Sequence, residues 1–396
     1  MTRAVLTLNA GSSSLKVALF PETGDAPLAS GQADRIGPDG TLQLKTAAGA
    51  AIPPGAEGSE DIGTHASALT AIITRLRAHV PALELLAVGH RVVHGGIDYD
   101  TPVVVTPDVL EDLDALAPFA PLHQPHNLAG IRAAGEAFAG VPQVACFDTA
   151  FHRAHPWVND TFALPRALYD EGVRRYGFHG LSYDYITGAL RGVAPDLAEG
   201  RVVVAHLGNG ASMCGIRAGR SIASTMGFSA LDGLPMGTRS GQVDPGVLLY
   251  LMEQKSMRPA EISDLLYKQS GLLGLSGLSN DMRTLEGAGT QEAEEAIAYF
   301  VFRCQRELGA LAAALGGIDA LVFCGGIGEH SERIRAEVCA GLGWMGIEVD
   351  PARNAAHATV ISTDQAGTAV MVIPTNEELV IARAARALAA DARAAH

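Results

Sequence analysis

Residues 6–20 read Leu6-Thr7-Leu8-Asn9-Ala10-Gly11-Ser12-Ser13-Ser14-Leu15-Lys16-Val17-Ala18-Leu19-Phe20. Apolar runs at 4–8 and 15–20 flank a turn of Asn, Gly and three serines, which predicts two strands joined as a β-hairpin. Glycine lets backbone N–H groups converge without a Cβ in the way. Serine adds hydroxyl donors and Lys16 adds charge beside them, so the turn has the make-up of an anion nest, with phosphate as its natural guest. The order G-x-x-x-x-G-K-[ST] occurs nowhere, and a strand rather than a helix follows the turn, so this is not a Walker A loop. Alone, it would be a polar hairpin loop.

It is not alone. Arg201–Leu207 reads as a strand, followed by Gly208-Asn209-Gly210-Ala211-Ser212 and a second apolar run, Met213–Ile216. Gly325-Gly326-Ile327-Gly328-Glu329 reads as a third glycine-rich turn after another apolar strand. A second echo pairs LAVGHRVVHGG at 86–96 with ALVFCGGIG at 320–328, both strands that run into Gly-Gly. Two features recurring in the same order point to an internal duplication, although each is common singly. Three such turns suit a nucleotide gripped between two domains, with phosphates on the hairpins and the base or ribose on the third turn.

The rest of the chain alternates strands and helices, which favours an α/β class. Residues 21–60 are rich in Gly, Pro and Ala and read as loops and weak strands. Helical spacing begins at Thr64 and returns at 107–116 and 126–138. Gln143–Phe147 is a short strand that delivers Asp148 to a sheet end. Ile297, Phe300, Val301, Cys304, Leu308, Leu311 and Leu315 form one apolar stripe on a helix over 292–315, a core element. A strand over 369–373 and an alanine-rich helix over 377–395 follow.

With 396 residues, two domains are expected. Hydrophobic residues make up 48% and charged residues 18%, enough apolar material for real cores. Net charge is −14, which argues against nucleic-acid or acidic-membrane partners; positive charge for an anionic ligand must be local. Five cysteines with no C-x-x-C pair suggest a reducing, cytoplasmic compartment rather than a disulfide framework or zinc knuckle. The first apolar run stops at Asn9, too short for a signal peptide, and no run is long enough to span a bilayer.

Several charged residues sit in glycine-flanked positions. His90-Arg91-Val92-Val93-His94-Gly95-Gly96 places Arg91 in a strand that reads as buried, where it needs an anion partner. Met236-Gly237-Thr238-Arg239-Ser240-Gly241 holds a second arginine, Tyr176-Gly177-Phe178-His179-Gly180 a histidine, and Pro121-Leu122-His123 another. Singly, each reads as a salt bridge or a capped loop. Together with Asp148 they fit an anionic reaction centre. His90 and His94 lie on a strand without an H-E-x-x-H helix, so a zinc hydrolase is not indicated.

NAGSSSLK at 9–16, HRVVHGG at 90–96, APLH at 120–123, FDTAFH at 147–152, YGFHG at 176–180, HLGNGAS at 206–212, MGTRSG at 236–241, SNDMR at 279–283, GGIGE at 325–329 and TNEE at 375–378 together resemble the acetate kinase family. The resemblance runs from residue 6 to about 382. It implies two duplicated actin-like (ribonuclease H-like) α/β domains with a nucleotide cleft between them. The first would comprise 1–150 plus 376–396 and carry carboxylate and phosphate contacts. The second, 151–375, would carry the adenosine site and a homodimer interface. The implied reaction is reversible, Mg²⁺-dependent (or Mn²⁺-dependent), direct in-line phosphoryl transfer from ATP to acetate, giving acetyl phosphate and ADP, with domain closure to exclude water.

A carboxylate acceptor is already ionised at pH 7, so no general base is needed, and catalysis is positioning and electrostatics. By resemblance, Arg91 binds the acetate carboxylate and the transferring group, and Arg239 and His179 stabilise the phosphoryl oxygens. Asp148 is the essential carboxylate, orienting an arginine or a magnesium-bound water, and His123 approaches from the side. Asn9 and Glu377 hold Mg²⁺ directly or through water. Ser12, Ser14 and Lys16, with His206, Leu207, Gly208, Asn209 and Gly210, face phosphates. Asp281, Met282 and Arg283, with Gly326, Ile327, Gly328, Glu329 and His330, line the adenosine site.

Three places depart from the family pattern: His330 for the usual Asn, Gln124-Pro125-His126-Asn127 for the usual Asn-Pro, and Ala230 for a proline that, with Val93, Leu122 and Phe178, lines the pocket for the acetate methyl group. The smaller alanine suggests better tolerance of propionate. The alternatives are a propionate-preferring short-chain carboxylate kinase and a non-catalytic ATP-dependent clamp; the two arginines and His179 have little purpose in a clamp.

Overall fold

The computed structural model describes residues 1–54, 60–80 and 82–394. Parts of two sequence expectations, the loop reading at 55–59 and the helix end at Ala395, lie outside these residues. The chain divides into two compact units, Met1–Ala150 with Asn376–His396, and Phe151–Thr375.

The first unit is built on eight strands, β1 (Thr2–Ala10), β2 (Ser14–Pro21), β3 (Ala29–Asp34), β4 (Thr41–Thr46), β5 (Ala51–Ile52), β6 (Leu83–Val92), β7 (Val103–Val104) and β8 (Gln143–Phe147), in the order β5-β4-β3-β2-β1-β6-β8-β7. The opening hairpin is the β1–β2 pair, with Asn9 opposite Lys16. The weak strands read among the loops of 21–60 are present as β3 and β4, which extend the hairpin as an antiparallel meander. β1, β6 and β8 run parallel, with Leu8 opposite His90 and Arg91 opposite Cys146.

Side chains alternate across a strand, so each face has its own cover. Leu6, Leu8 and Val88 share a core with Leu69, Ile72 and Leu76 of helix His65–His79. Val92, Ala145 and Phe147 join Leu128 and Ile131 of helix Gln124–Ala137 in a second core. Helix Glu377–Ala394 lies on the opposite face, so close that a Cβ at Gly89 would fall 2.5 Å from Ile381 Cγ2.

The second unit has β9 (Arg201–Leu207), β10 (Ala211–Arg217), β11 (Arg220–Ser224), β12 (Ala320–Cys324) and β13 (Ala369–Val372), ordered β11-β10-β9-β12-β13. The first three are antiparallel, and β9, β12 and β13 are parallel. This repeats the order and directions of β3-β2-β1-β6-β8 in the first unit. Both sequence echoes therefore fall on equivalent strands. Helix Gly180–Val193 covers one face, with Ile186 and Leu190 against Cys214 and Ile216 of β10 and against Val202, Val204 and Val322. Helix Gln291–Leu315 covers the other. All seven residues of the anticipated stripe are buried, and Gly215 of β10 packs directly under Leu311 and Leu315.

Candidate active site

The parallel strands β1, β6 and β8 end together, and ligands of open α/β sheets lie outside such carboxyl ends. Leu8 and His90 are ladder partners, so Asn9 and Arg91 stand side by side next to the ends of their strands, and Asp148 follows the last residue of β8. Arg91 is bound to Asp148 at two points, Nε to Oδ1 at 2.9 Å and Nη2 to Oδ2 at 2.6 Å. Its side chain is 21% exposed, so it sits at the sheet end rather than inside the strand's core. The Glu377 carboxylate, on the first turn of helix Glu377–Ala394, lies 3.8 Å from Arg91 Nε. Burial pushes Glu377 up to about 6; Arg91 and Lys16 oppose that, while Asp148 and Glu378 add to it. Burial alone would lower the Arg91 pKa, but Asp148 and Glu377 outweigh it and hold the guanidinium firmly charged.

Two buried amides fix the loops around this cluster. Asn127 donates to the Ala10 carbonyl at 2.7 Å and accepts from the Val93 N–H at 3.0 Å, tying the ends of β1 and β6 to one helix. Gln124 accepts from His94 N–H and donates to the carbonyls of His94 and Leu113. The sequence-derived site does not contain Asn127, and has Gln124 only as a departure from pattern. The available signal is two polar side chains opening a helix next to Pro125. His123 stands at the N-cap of that helix. Val93 is buried and Leu122 half-buried.

The serine turn is closed by Gly11 N–H to the Ser14 carbonyl at 2.8 Å, and His65 Nε2 contacts the Gly11 carbonyl at 2.7 Å. Ser12 is exposed and Ser14 half-buried. Lys16 opens onto a groove of about 500 Å³ that also holds Lys45, Gln32 and Glu378.

In the second unit, His179 takes a left-handed backbone, φ 58°, at the start of helix Gly180–Val193. Its Nδ1 is 2.8 Å from Ser212 Oγ, and the Tyr183 hydroxyl bonds the same serine. The His179 ring stacks on His206 at 4.4 Å, and His206 Nδ1 is 2.8 Å from Ser182 Oγ. A Cβ at position 210 would lie 3.2 Å from His179 Nε2, so Gly210 keeps the turn close to the ring. The 236–241 loop is tied to the same turn by Gly237 N–H to the Asn209 carbonyl at 3.1 Å. Arg239, on that loop, donates to the Ala230 carbonyl at 3.5 Å. Phe178 is buried and Ala230 half-buried.

A cavity of about 510 Å³ is lined by Gly208, Asn209, Asp281, Met282, Arg283, Gly326, Ile327 and His330, together with Asn280, Glu286 and Ser331. Most of the residues expected at an adenosine site are thus gathered in one place. Gly325–His330 is corrected from a turn to a short helix. Its start needs Gly325, whose φ is 75° and where a Cβ would meet the Leu207 carbonyl oxygen at 2.8 Å. Leu207, Gly328 and Glu329 do not line the cavity. Leu207 and Gly328 are buried, and Glu329 turns inward to accept from the N–H groups of Gly325 and Thr375. Asp281 caps its helix and pairs with Arg283 at 2.8 Å, which holds its carboxyl below the usual range.

A sequence model of the Acetokinase family matches residues 4–383. The chain belongs to the acetokinase family. An acetate kinase of Methylocella silvestris is 59% identical over 397 residues, covering 98% of each chain. A crystal structure of Porphyromonas gingivalis acetate kinase superposes with a TM-score of 0.88 at 38% identity, over 98% of this chain and 99% of that one. A propionate kinase from Francisella tularensis superposes with a TM-score of 0.90 at 35% identity, over 98% and 100%. The fold is the actin-like α/β one that the resemblance implies. As an acetokinase the chain is an enzyme, a phosphotransferase with a carboxyl group as acceptor and ATP as co-substrate, and the clamp alternative falls away. No helix among the described residues is long and apolar enough to cross a membrane.

Proposed function

We propose that the chain catalyses ATP + acetate ⇌ ADP + acetyl phosphate, with Arg91 and Asp148 as the pair on which the acceptor end depends. The observation that carries this is the two-point Arg91–Asp148 bridge at the sheet end. Fixing Nε and Nη2 leaves the Nη1 face of a pre-oriented guanidinium for the acceptor carboxylate and the transferring group. The acceptor is ionised at neutral pH, so these residues have no proton to remove; they offset repulsion and set the approach.

In the second unit, His179 and Arg239 take phosphoryl oxygens. Tyr183 can donate to Ser212 and Ser212 to His179 Nδ1, which places the hydrogen of the neutral ring on Nε2. His123 serves the acceptor end. Ser12, Ser14 and Lys16, with His206 to Gly210, serve the phosphates, and the cavity at Asp281–Arg283 and Gly326–His330 takes adenosine. Glu377 and Asn9 fit a hard cation: both offer oxygen, and the buried carboxylate lacks full compensation. Mg²⁺, or Mn²⁺ in its place, would supply charge neutralisation on the phosphates when bound.

Acetate is the acceptor we favour; Ala230, where the family carries proline, favours tolerance of propionate. We further propose a cytoplasmic homodimer joined through helix Pro245–Glu253, which has no buried residue and exposes Val247, Leu249, Tyr250 and Met252. The deciding experiment traps acyl phosphate with hydroxylamine, using ATP and Mg²⁺ with formate, acetate, propionate or butyrate. Turnover on acetate that collapses in Arg91→Ala supports the assignment; ATP binding with no transfer to any of the four refutes it.

A further inference from the structure

His179 has an unusual backbone for a non-glycine residue, φ 58°. Ser212 and His206 hold its ring, but neither holds its backbone. The carbonyl that leads into it belongs to Phe178, and His152 Nε2 lies 3.0 Å from that oxygen. His152 is fully buried, and a Cβ on Gly177 would meet its ring at 2.6 Å. The Tyr176–Gly180 segment is thus wrapped over an imidazole that the proposed mechanism does not use.

The protons of this cluster can be assigned. A carbonyl only accepts, so His152 Nε2 must carry the hydrogen. Burial pushes His152 down to about 3 and His155 to about 4, so both rings are neutral. Neutral His152 therefore accepts at Nδ1, where Ser221 Oγ stands 2.8 Å away and must donate. With its hydrogen committed there, Ser221 accepts from His155 Nε2 at 2.7 Å, and the Cys214 thiol, 3.2 Å away, can donate to its second lone pair. That leaves His155 Nδ1 as a bare acceptor, and this buried nitrogen has no hydrogen-bond partner in the structure. One orientation, His155 to Ser221 to His152 to the Phe178 carbonyl, satisfies all three contacts of this relay.

We propose that His152, its tautomer set by Ser221 and His155, is a positioning residue that holds the Phe178–His179 backbone in the left-handed conformation from which His179 reaches the phosphoryl group. The inference rests on the assignment of His179 as a phosphoryl ligand. A misplacement of about 1 Å in such a ligand can cost about a hundredfold in rate. His152 and Ser221 are fully buried beneath this segment.

The test is a double-mutant cycle on the full chain, reading kcat and both KM values by hydroxylamine trapping, with His152→Leu, His179→Ala and the pair. We expect His152→Leu to lower kcat about ten- to a hundredfold with KM changed less than about threefold, and to add less than about twofold in the His179→Ala background. His152→Gln, which keeps an N–H donor, recovers most of the loss. Ser221→Ala, which frees the tautomer without removing the donor ring, lowers kcat in the same direction and carries the test if His152→Leu does not fold. An equal loss in both backgrounds, or no loss in kcat for either variant, overturns the positioning role while leaving His179 in place. Normal kcat in His179→Ala alone overturns the His179 assignment, and the inference with it.

Discussion

Arg91 and Asp148, 57 residues apart, meet through two parallel hydrogen bonds of 2.9 and 2.6 Å at the ends of adjacent parallel strands. The pair makes the guanidinium a fixed charge rather than a mobile one. Asp148→Asn keeps the shape and removes half of that constraint. It is expected to lower kcat about a hundredfold or more, as loss of one preorganised electrostatic group does elsewhere. Arg91→Lys should recover little, because an ammonium cannot copy the fork. The hydroxamate assay measures both.

Asn127 bridges the Ala10 carbonyl and the Val93 N–H. Asn127→Leu leaves both backbone groups buried without a partner. Each costs about 1–3 kcal/mol, so urea unfolding should show a loss of about 2–6 kcal/mol. A loss below about 1 kcal/mol would mean that water replaces the amide.

Gly325→Ala places a Cβ against the Leu207 carbonyl and demands φ near 75° of an alanine. Strain of this kind costs about 1–3 kcal/mol. Because Gly326 and Ile327 line the cavity one and two residues on, ATP affinity by calorimetry should fall more than carboxylate KM rises.

Acid should destabilise the fold through buried histidines. His90 bonds Gln143 at 2.8 Å, and burial pushes its pKa down to about 4. Its folded pKa is below the unfolded value, so the unfolded chain binds the proton first. The stabilisation is complete above about pH 6.5 and is lost as pH falls toward 4, on the order of 3 kcal/mol for this residue. Urea midpoints at pH 7 and pH 5 should differ less in His90→Gln than in the wild type.

Ala230→Pro restores the family residue. If Ala230 sets acceptor size, the variant should shift the acetate to propionate ratio of kcat/KM toward acetate by about tenfold or less, the worth of one CH₂. An unchanged ratio would place size selection elsewhere.

What could be read from sequence had one face in a core. β1, β6, β8, β9 and the helix at 291–315 each show the period of a half-buried or fully buried element, and the motifs at their ends follow. β3 is faint by the same criterion, because only Ala29 and Ala33 of its residues are buried. β4 does alternate, Leu42 and Leu44 toward the core and Gln43 and Lys45 toward an open groove, but over only six residues. Glycine's poor helix propensity hides the helix at Gly325–His330, which rests on Arg335, fully buried and donating to the carbonyls of Gly328 and Glu329. Asn127 joins Ala10 across 117 positions, and His152 joins Ser221 across 69. No local pattern announces pairings of that span.

The boundary of the two units has a consequence for synthesis. Residues 151–375 form one unit by themselves, but the first unit spans 1–150 and then waits for 376–396. On the ribosome, the segment that emerges first is therefore the one completed last. Until helix Glu377–Ala394 is made, the β6 face beneath it stays bare at Gly89, and the carboxylate of Glu377 has not arrived beside Arg91. The growing chain therefore carries its arginine without the full acidic setting until the returning helix is made.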